Sequence, residues 1–277
     1  MTYREAILLG ESILQKAKIV DAKNDAWLLL AMACRINHTY YYVHMDEEMS
    51  QEQIREYQAL LSKRAERIPL QYIVGEQEFM GLTFSVNEHV LIPRQDTEVL
   101  VEEVMKNLHD GFRILDLCTG SGCILLSLLH YSNDCSGVGA DLSEEALEVA
   151  RKNAEQLGES SALFVQGDLF APVEGKFEII VSNPPYICSD VIPTLMEEVR
   201  EHEPMQALDG GADGLDFYRK IIQGAKEHLC GGGQLFFEIG YDQGEAVQRL
   251  MEQAGYREVE CVQDFAGLDR VVFGTLW

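Results

Sequence analysis

The run Phe177-Glu178-Ile179-Ile180-Val181 reads as a buried strand, and it is followed almost at once by two prolines, in Ser182-Asn183-Pro184-Pro185-Tyr186. Each proline fixes its own φ, lacks an N–H and pushes the residue before it out of the helical region. Asn183 and Pro184 are therefore held extended at the carboxyl end of a strand, where open α/β sheets place their ligands. The stiff loop offers the Asn183 side-chain carbonyl, the Pro184 backbone carbonyl and the flat ring of Tyr186. Two fixed acceptors and a platform suit a planar –NH2 group, whose two N–H donors need two partners. Taken alone, the same stretch reads equally well as a tight turn that only ends a strand.

Its surroundings favour a site. From residue 93 onward strands alternate with helices, the pattern of a mostly parallel sheet covered on both faces. Arg113–Leu117 is a strand, and Cys118-Thr119-Gly120-Ser121-Gly122 is a glycine-rich turn into a helix that starts near Cys123. The turn is too short for a phosphate-binding Walker loop, lacks its lysine, and fails the three-glycine dinucleotide fingerprint. It can still wrap the polar end of a smaller ligand, because glycine lets backbone approach closely. The next strand ends in Asp141, at about the 20-residue offset where an acid takes ribose hydroxyls in such sheets. The third, Ala162–Gln166, ends in Gly167-Asp168-Leu169-Phe170: Asp168 can accept from an exocyclic amine, and Leu169 and Phe170 can flank a base. The fourth ends in Asn183-Pro184-Pro185-Tyr186. Four candidate loops after four successive strands make a ligand site.

The first 70 residues differ in character. Thr2-Tyr3-Arg4-Glu5 and Ser50-Gln51-Glu52-Gln53 have capping-box spacing, and helical periodicity predicts helices to about Lys18, over 24–36 with Asn37 as its stop, and from Ser50 to Pro69. Tyr40-Tyr41-Tyr42 reads as core or interface. Leu82, Phe84 and Val86 alternate with polar residues and predict a hairpin with Glu78-Phe79-Met80 through Gly81. The expected organisation is a helical domain over 1–70 that docks the substrate, a β-hairpin connector over 71–92, and a catalytic domain over 93–277. Arg94 and Glu98 read as surface charges, and Glu197, Glu198, Glu201 and Glu203 as a solvated acidic face that could instead guide a basic partner.

Charge narrows the ligand. The net charge is −24, the opposite of the basic footprint expected of a protein gripping nucleic acid. Seven scattered cysteines without a CxxC pair or zinc spacing read as reduced thiols in the cytoplasm, and neither a signal-peptide layout nor a membrane-length apolar run is present. No metal site is expected.

The loop register resembles the class I S-adenosylmethionine-dependent methyltransferases, with their Rossmann-like fold, mostly parallel sheet and antiparallel last strand. The resemblance implies that Cys118–Gly122 faces the methionine end of S-adenosylmethionine, that Asp141 binds the ribose, that Asp168 with Leu169 lies by the adenine, and that Asn183 touches cofactor and substrate. Motifs outside that core carry a narrower resemblance. They are Gln71-Tyr72-Ile73-Val74-Gly75-Glu76-Gln77-Glu78-Phe79, Leu91-Ile92-Pro93-Arg94-Gln95-Asp96-Thr97-Glu98, Glu203-Pro204, Gly210-Gly211-Ala212-Asp213-Gly214, Glu238-Ile239-Gly240 and Asp264-Phe265-Ala266-Gly267-Leu268-Asp269-Arg270. Together they resemble the release-factor glutamine methyltransferases (the HemK type) over nearly the whole chain. Cys118 stands where that family often has glycine, and Gln95 where it often has proline. The resemblance implies methylation of the glutamine amide in the Gly-Gly-Gln loop of class I peptide-chain release factors, with Asn183, Pro184 and Tyr186 catalytic, Pro185 at the substrate, and S-adenosylhomocysteine as the second product. The competing enzyme reading is a methyltransferase for an exocyclic amine of adenine or guanine in nucleic acid. It uses the same loops but fits the charge poorly, and a basic or aromatic single-strand platform is missing. An inactive scaffold would break these loops, and they are intact.

Overall fold

Helix α1 (Tyr3–Lys16) starts at a complete capping box: the Thr2 hydroxyl accepts from the Glu5 N–H and the Glu5 carboxylate accepts from the Thr2 N–H. Helix α2 (Ala22–Cys34) ends on Arg35 in the left-handed region. Asn37, expected only as a stop, caps α3 (His38–His44) by accepting from the Tyr40 N–H, so the three tyrosines are helical. Ser50 and Gln53 form the second capping box, on α4 (Gln51–Ala65). That helix stops four residues before Pro69, which opens the short α5 (Leu70–Val74) instead. A proline tolerates the start of a helix because the missing N–H has no partner there anyway.

These helices bury Leu14, Ala26, Leu29, Leu30, Tyr57 and Leu61 in one core. Beside it lies an ionic cluster. Arg64 Nε donates to Asp25 Oδ2 at 2.8 Å, and Arg64 and Arg67 both donate to Glu198 Oε1, at 3.3 and 2.9 Å. Glu198 comes from Met196–His202, a stretch that belongs with Met1–Gly75 in the first of two compact units. The computed structural model describes all 277 residues, Met1–Trp277.

The second unit, Glu76–Leu195 with Glu203–Trp277, starts with the hairpin β1 (Glu76–Phe79) and β2 (Leu82–Ser85). Phe79 and Phe84 are buried in this unit's own core. Helix α6 (Asp96–Asn107) begins after Gln95, without a side-chain cap from Asp96 or Thr97. There follow β3 (Arg113–Leu117), α7 (Cys123–His130), β4 (Ser136–Asp141), α8 (Glu144–Leu157, capped by Ser143), β5 (Ala162–Gln166) and β6 (Phe177–Ser182). Helix α9 (Glu197–His202) is the excursion into the first unit. Then come α10 (Asp216–His228), β7 (Leu229–Glu238), α11 (Gly244–Gln253), β8 (Arg257–Gln263) and β9 (Asp269–Leu276). The Cys230–Gly233 run, glycine-rich as it is, lies inside β7, where the pairing with β6 is irregular.

The seven strands form one sheet in the order β5-β4-β3-β6-β7-β9-β8, with β9 antiparallel to both neighbours and β3 to β7 parallel. This is the class I methyltransferase arrangement. One apolar layer fills each face. Chain order reverses between β4-β3 and β6, which puts the switch point at the β3–β6 pair. No helix is long and apolar enough to cross a membrane.

A close approach in the first unit can be tested. A Cβ on Gly10 of α1 would lie 2.0 Å from the Tyr57 hydroxyl and 3.1 Å from the Ala26 Cβ, and that hydroxyl is held by the Ala26 carbonyl at 3.2 Å. Helix propensity alone would make Gly10→Ala stabilising by about 1 kcal/mol. The overpacking predicts the opposite sign, a loss of about 1–3 kcal/mol. Urea unfolding decides; a midpoint that rises would contradict the close contact.

Candidate active site

Strands β3 and β6 pair with Leu117 opposite Ser182, and the Ser182 hydroxyl donates to the Leu117 carbonyl at 2.7 Å in the buried interior. The two loops that follow therefore start side by side. After Leu117 the chain turns sharply: Cys118 has φ 59° and Gly120 φ 55°. The Thr119 hydroxyl donates to Asp116 Oδ2 at 2.6 Å, and the Thr119 N–H donates to the Ala140 carbonyl. Asp141 closes the loop from the neighbouring strand. Its Oδ2 accepts from the Gly120 N–H at 2.9 Å and its Oδ1 from the Ser143 N–H at 3.0 Å. The Leu142 N–H also favours the ionised carboxylate, and a carboxylate's roughly four lone-pair sites leave it capacity for a further donor. A third support is buried Asn153 on α8, which donates to the Ser121 and Ser85 carbonyls and accepts from the Ser85 N–H. The hairpin thus braces the glycine-rich turn.

A cavity of about 540 Å³ opens above these strand ends, within the range of small-ligand sites. Cys118, Thr119, Gly120 and Ser121 line it from the first loop, and Asp141, Asp168 and Leu169 from the second and third. Asn183 and Pro185 line it from the fourth. Gly122, Pro184 and Tyr186 are not in its wall. Gly122, at φ 78°, instead packs closely on Leu126 and Ala150. Phe170 does not flank the cavity as expected. It stacks on His228, ring centres 4.8 Å apart, and covers Gly224. Chain outside the four loops completes the wall, including Arg94, Thr97, Met205 and Phe217.

The Asn-Pro-Pro-Tyr loop is held from behind. Asn183 Nδ2 donates to Thr97 Oγ1 at 3.4 Å. The Tyr186 hydroxyl donates to Glu238 Oε1 at 3.3 Å, and the Tyr186 carbonyl accepts from Gln243 Nε2 at 3.0 Å. Burial raises the Tyr186 phenol, and the Glu238 charge adds to the effect. Glu238 is fully enclosed and its carboxyl is pushed up to about 6 by burial, against Thr97, Arg270 and Tyr186, which favour the ionised form. Arg270 is shared with Asp264 and Asp96, at 3.0 and 3.3 Å. Asp116 is buried too, with Oδ1 unpartnered, and burial pushes it up to about 7 against the Thr119 hydroxyl.

Two charged groups read as surface features are internal ties. Arg94 pairs with buried Glu203, which also accepts from the Ile92 N–H. Glu98 accepts from the Met80 N–H at the hairpin tip. Glu203 and Glu198 are both buried, so the acidic stretch is not a continuous solvated face; Glu197 and Glu201 are its exposed members.

Residues 5–75 match the family described as PrmC N-terminal domain, and 94–200 the one described as methyltransferase small domain. A release factor glutamine methyltransferase of Geobacter sulfurreducens is 41% identical over 276 residues, 99% of this chain and 97% of that protein. The chain belongs to the release factor glutamine methyltransferase family. A second such relative, from Moorella thermoacetica, is 43% identical over 98% of this chain and 97% of its own. In fold, a methyltransferase of known structure from Pyrococcus furiosus superposes with a TM-score of 0.56 at 20% identity, over 77% of this chain and 98% of that one. The family's cofactor is S-adenosylmethionine. The residues present fit it: the cavity volume suits a nucleoside with a short chain, the Asp141 carboxylate keeps acceptor capacity, and a Cβ on Gly120 would meet nothing within 4 Å.

Thr97, Glu238, Gln243 and Arg270 of this methyltransferase were not singled out by sequence as site residues. A signal existed for Glu238 and Asp116. Each is an acid inside an apolar strand run, Leu235-Phe236-Phe237-Glu238 and Ile114-Leu115-Asp116-Leu117, and a charge is not buried there without a specific environment.

Asp116 gives the site a measurable pH signature. Its folded carboxyl lies above the ordinary value, so its contribution favours folding at low pH and is lost as pH rises through about 7. Asp116→Asn removes that dependence. Without cofactor, the difference in Tm, variant minus wild type, should become more positive from about pH 5 to about pH 8. Calorimetry showing a constant difference would argue against a raised Asp116.

Proposed function

We propose that this chain transfers the methyl group of S-adenosylmethionine to the side-chain amide nitrogen of the glutamine in the Gly-Gly-Gln loop of class I peptide-chain release factors, leaving S-adenosylhomocysteine. The observation that carries this is Asn183: it lines the cavity while its Nδ2 is engaged by Thr97. Its Oδ1 is then the end left for a substrate N–H. The Pro184 carbonyl takes the second N–H of the same –NH2 group.

S-adenosylmethionine, when bound, supplies a methyl group already activated on a sulfonium. The protein's task is alignment. An amide nitrogen is a poor nucleophile because its lone pair is delocalised into the carbonyl. Two acceptors fixed by a double-proline loop orient it and favour a less planar nitrogen. Holding the reactants at near-attack distance supplies much of the rate. The loop carries no strong base and needs none before attack, since the nitrogen becomes acidic only once it bears the methyl group. Asp141 would hold the ribose hydroxyls, Asp168 and Leu169 the adenine, and Cys118–Gly122 the methionine end.

The helical residues 1–70 serve as the docking domain for the release factor. Exposed Tyr42 and Val43 on α3 support this reading. Exchanging both for serine should raise KM for release factor several-fold with cofactor affinity unchanged; an unaltered KM would remove α3 from the docking surface. Nucleic acid is not a direct substrate, in keeping with the net charge of −24. The seven unpaired cysteines and a substrate used in translation both fit a cytoplasmic enzyme.

Radiolabelled cofactor tests the substrate directly. Label should enter intact release factor and not release factor with the loop Gln→Ala, tRNA or DNA. Label in nucleic acid would overturn the assignment. Asn183→Ala should lower kcat by roughly 100-fold or more while the cofactor Kd stays within a few-fold.

A further inference from the structure

The carboxyl end of the sheet has two halves. Loops after β3, β4 and β5 carry the residues assigned to S-adenosylmethionine, and the loop after β6 carries Asn183. Beyond β6 the sheet continues through β7, β9 and β8. β9 is antiparallel to both neighbours, so the loop from β8 to β9 emerges at the same end as the loop after β7. The two start side by side, since the Ile239 N–H donates to the Arg270 carbonyl at 2.9 Å. With the cofactor over β5-β4-β3, a macromolecule that presents an amide to Asn183 comes in over this second half.

That half carries exposed apolar side chains: Tyr241 after β7, and Phe265 and Leu268 between β8 and β9. Phe265 is 98% exposed. A single exposed apolar residue is ordinary, but three on two adjoining loops at one end of one sheet form a patch. The loop that presents Phe265 is stiff. Asp264 Oδ1 accepts from the Ala266 and Leu268 N–H groups at 2.9 and 3.0 Å. The Asp264 N–H donates to the Leu268 carbonyl at 2.8 Å and the Gly267 N–H to the Asp264 carbonyl at 2.9 Å. Gly267 has φ 78°, which glycine adopts without steric cost.

The base of the loop is also tied to the reacting residues. Asp264 Oδ2 takes Arg270 at 3.0 Å, and Arg270 reaches Asp96 at 3.3 Å. The next residue, Thr97, lines the cavity and bonds Asn183. The backbone of the loop is thus ordered before any partner arrives, while the Phe265 ring is left in solvent. An aromatic side chain on a pre-ordered loop loses little freedom on binding, and aromatics dominate interface hot spots. We propose that Tyr241, Phe265 and Leu268 form a docking surface for the release factor, with Phe265 its anchor against apolar surface beside the Gly-Gly-Gln loop. This rests on the amide-methylation reading above and adds contacts outside the cavity, which none of the three lines. A protein fits the patch better than a nucleic acid does, because the net charge is −24 and exposed Asp242 follows Tyr241 directly.

The test uses the whole enzyme with intact release factor, at saturating S-adenosylmethionine. Phe265→Ser should raise KM for release factor roughly 10-fold. It should leave kcat, cofactor Kd and Tm at their wild-type values, the pattern of a lost uniform binding contact. Phe265→Trp should restore most of the affinity. Leu163→Ser removes another exposed apolar side chain, from β5 at the far edge of the sheet, and should change nothing. A wild type without activity on release factor defeats the functional reading itself. With an active wild type, an unchanged KM in Phe265→Ser, a loss confined to kcat, or an equal rise in Leu163→Ser overturns the docking surface alone. So does a wild-type dimer that Phe265→Ser turns into a monomer in sedimentation, because the patch then belongs to a second copy of this chain.

Discussion

The pairing of Leu117 with Ser182 sets everything else in the site. Both strands are internal to the sheet, so their register is fixed by burial on two faces, and a one-residue slip would turn every side chain over. The Ser182 hydroxyl on the Leu117 carbonyl adds a tie at the last pair. Beyond it the glycine-rich turn and the double-proline loop leave from adjacent points. Each is then stiffened by a different device. The first is pinned by Asp141 and Asn153 from neighbouring elements. The second has prolines in its own backbone, with Gln243 and Glu238 behind it. A ligand-binding geometry made this way depends little on the loops' own flexibility.

Charge is used unevenly. Most of the surplus acid is on the surface, but several carboxylates are enclosed, where ionisation costs several kcal/mol unless compensated. The protein answers in two ways. Glu198 and Glu203 are paired with arginines. For Glu198, burial is outweighed by its own N–H and Arg67, and the carboxyl ends up lowered. Asp116 receives the Thr119 hydroxyl and no cation, Glu238 the Tyr186 hydroxyl and Arg270, and burial leaves both raised. The first pair fixes chain segments at any pH near neutral. The second pair lies behind the two loops that matter most, so ionisation there is coupled to the site.

Loop order was readable from sequence because it follows from local signals: strand runs, glycines, prolines, and acids at fixed offsets. The helical unit was readable from its capping boxes for the same reason. What escaped was set by partners distant in sequence. Tyr186 carries a ring that a local reading places beside the substrate, but its hydroxyl is drawn back to Glu238, 52 residues away. Phe170 is likewise taken by His228. Glu198 and Glu203 look solvated in a run of glutamates, and only Arg64, Arg67 and Arg94, more than 100 residues upstream, reveal them as internal. Composition cannot report such pairings. An acid flanked by buried apolar residues can, which is why Glu238 was the site residue most open to detection.

The chain between Glu198 and Glu203 joins these observations. It leaves the second unit after the double-proline loop, contributes Met196–His202 to the first, and returns at Glu203. Two glutamates five positions apart are therefore anchored in different units, one by Arg64 and Arg67, the other by Arg94. Glu203 also holds the Ile92 N–H, and Pro204 and Met205, just after it, line the cavity. The wall of the cavity thus begins within two residues of the point where the chain returns to the second unit. Solvated acids at these positions would leave that stretch a free tether. Buried and paired, each glutamate is fixed within its own unit, and the charge pattern that looked like solubility is internal structure on both sides.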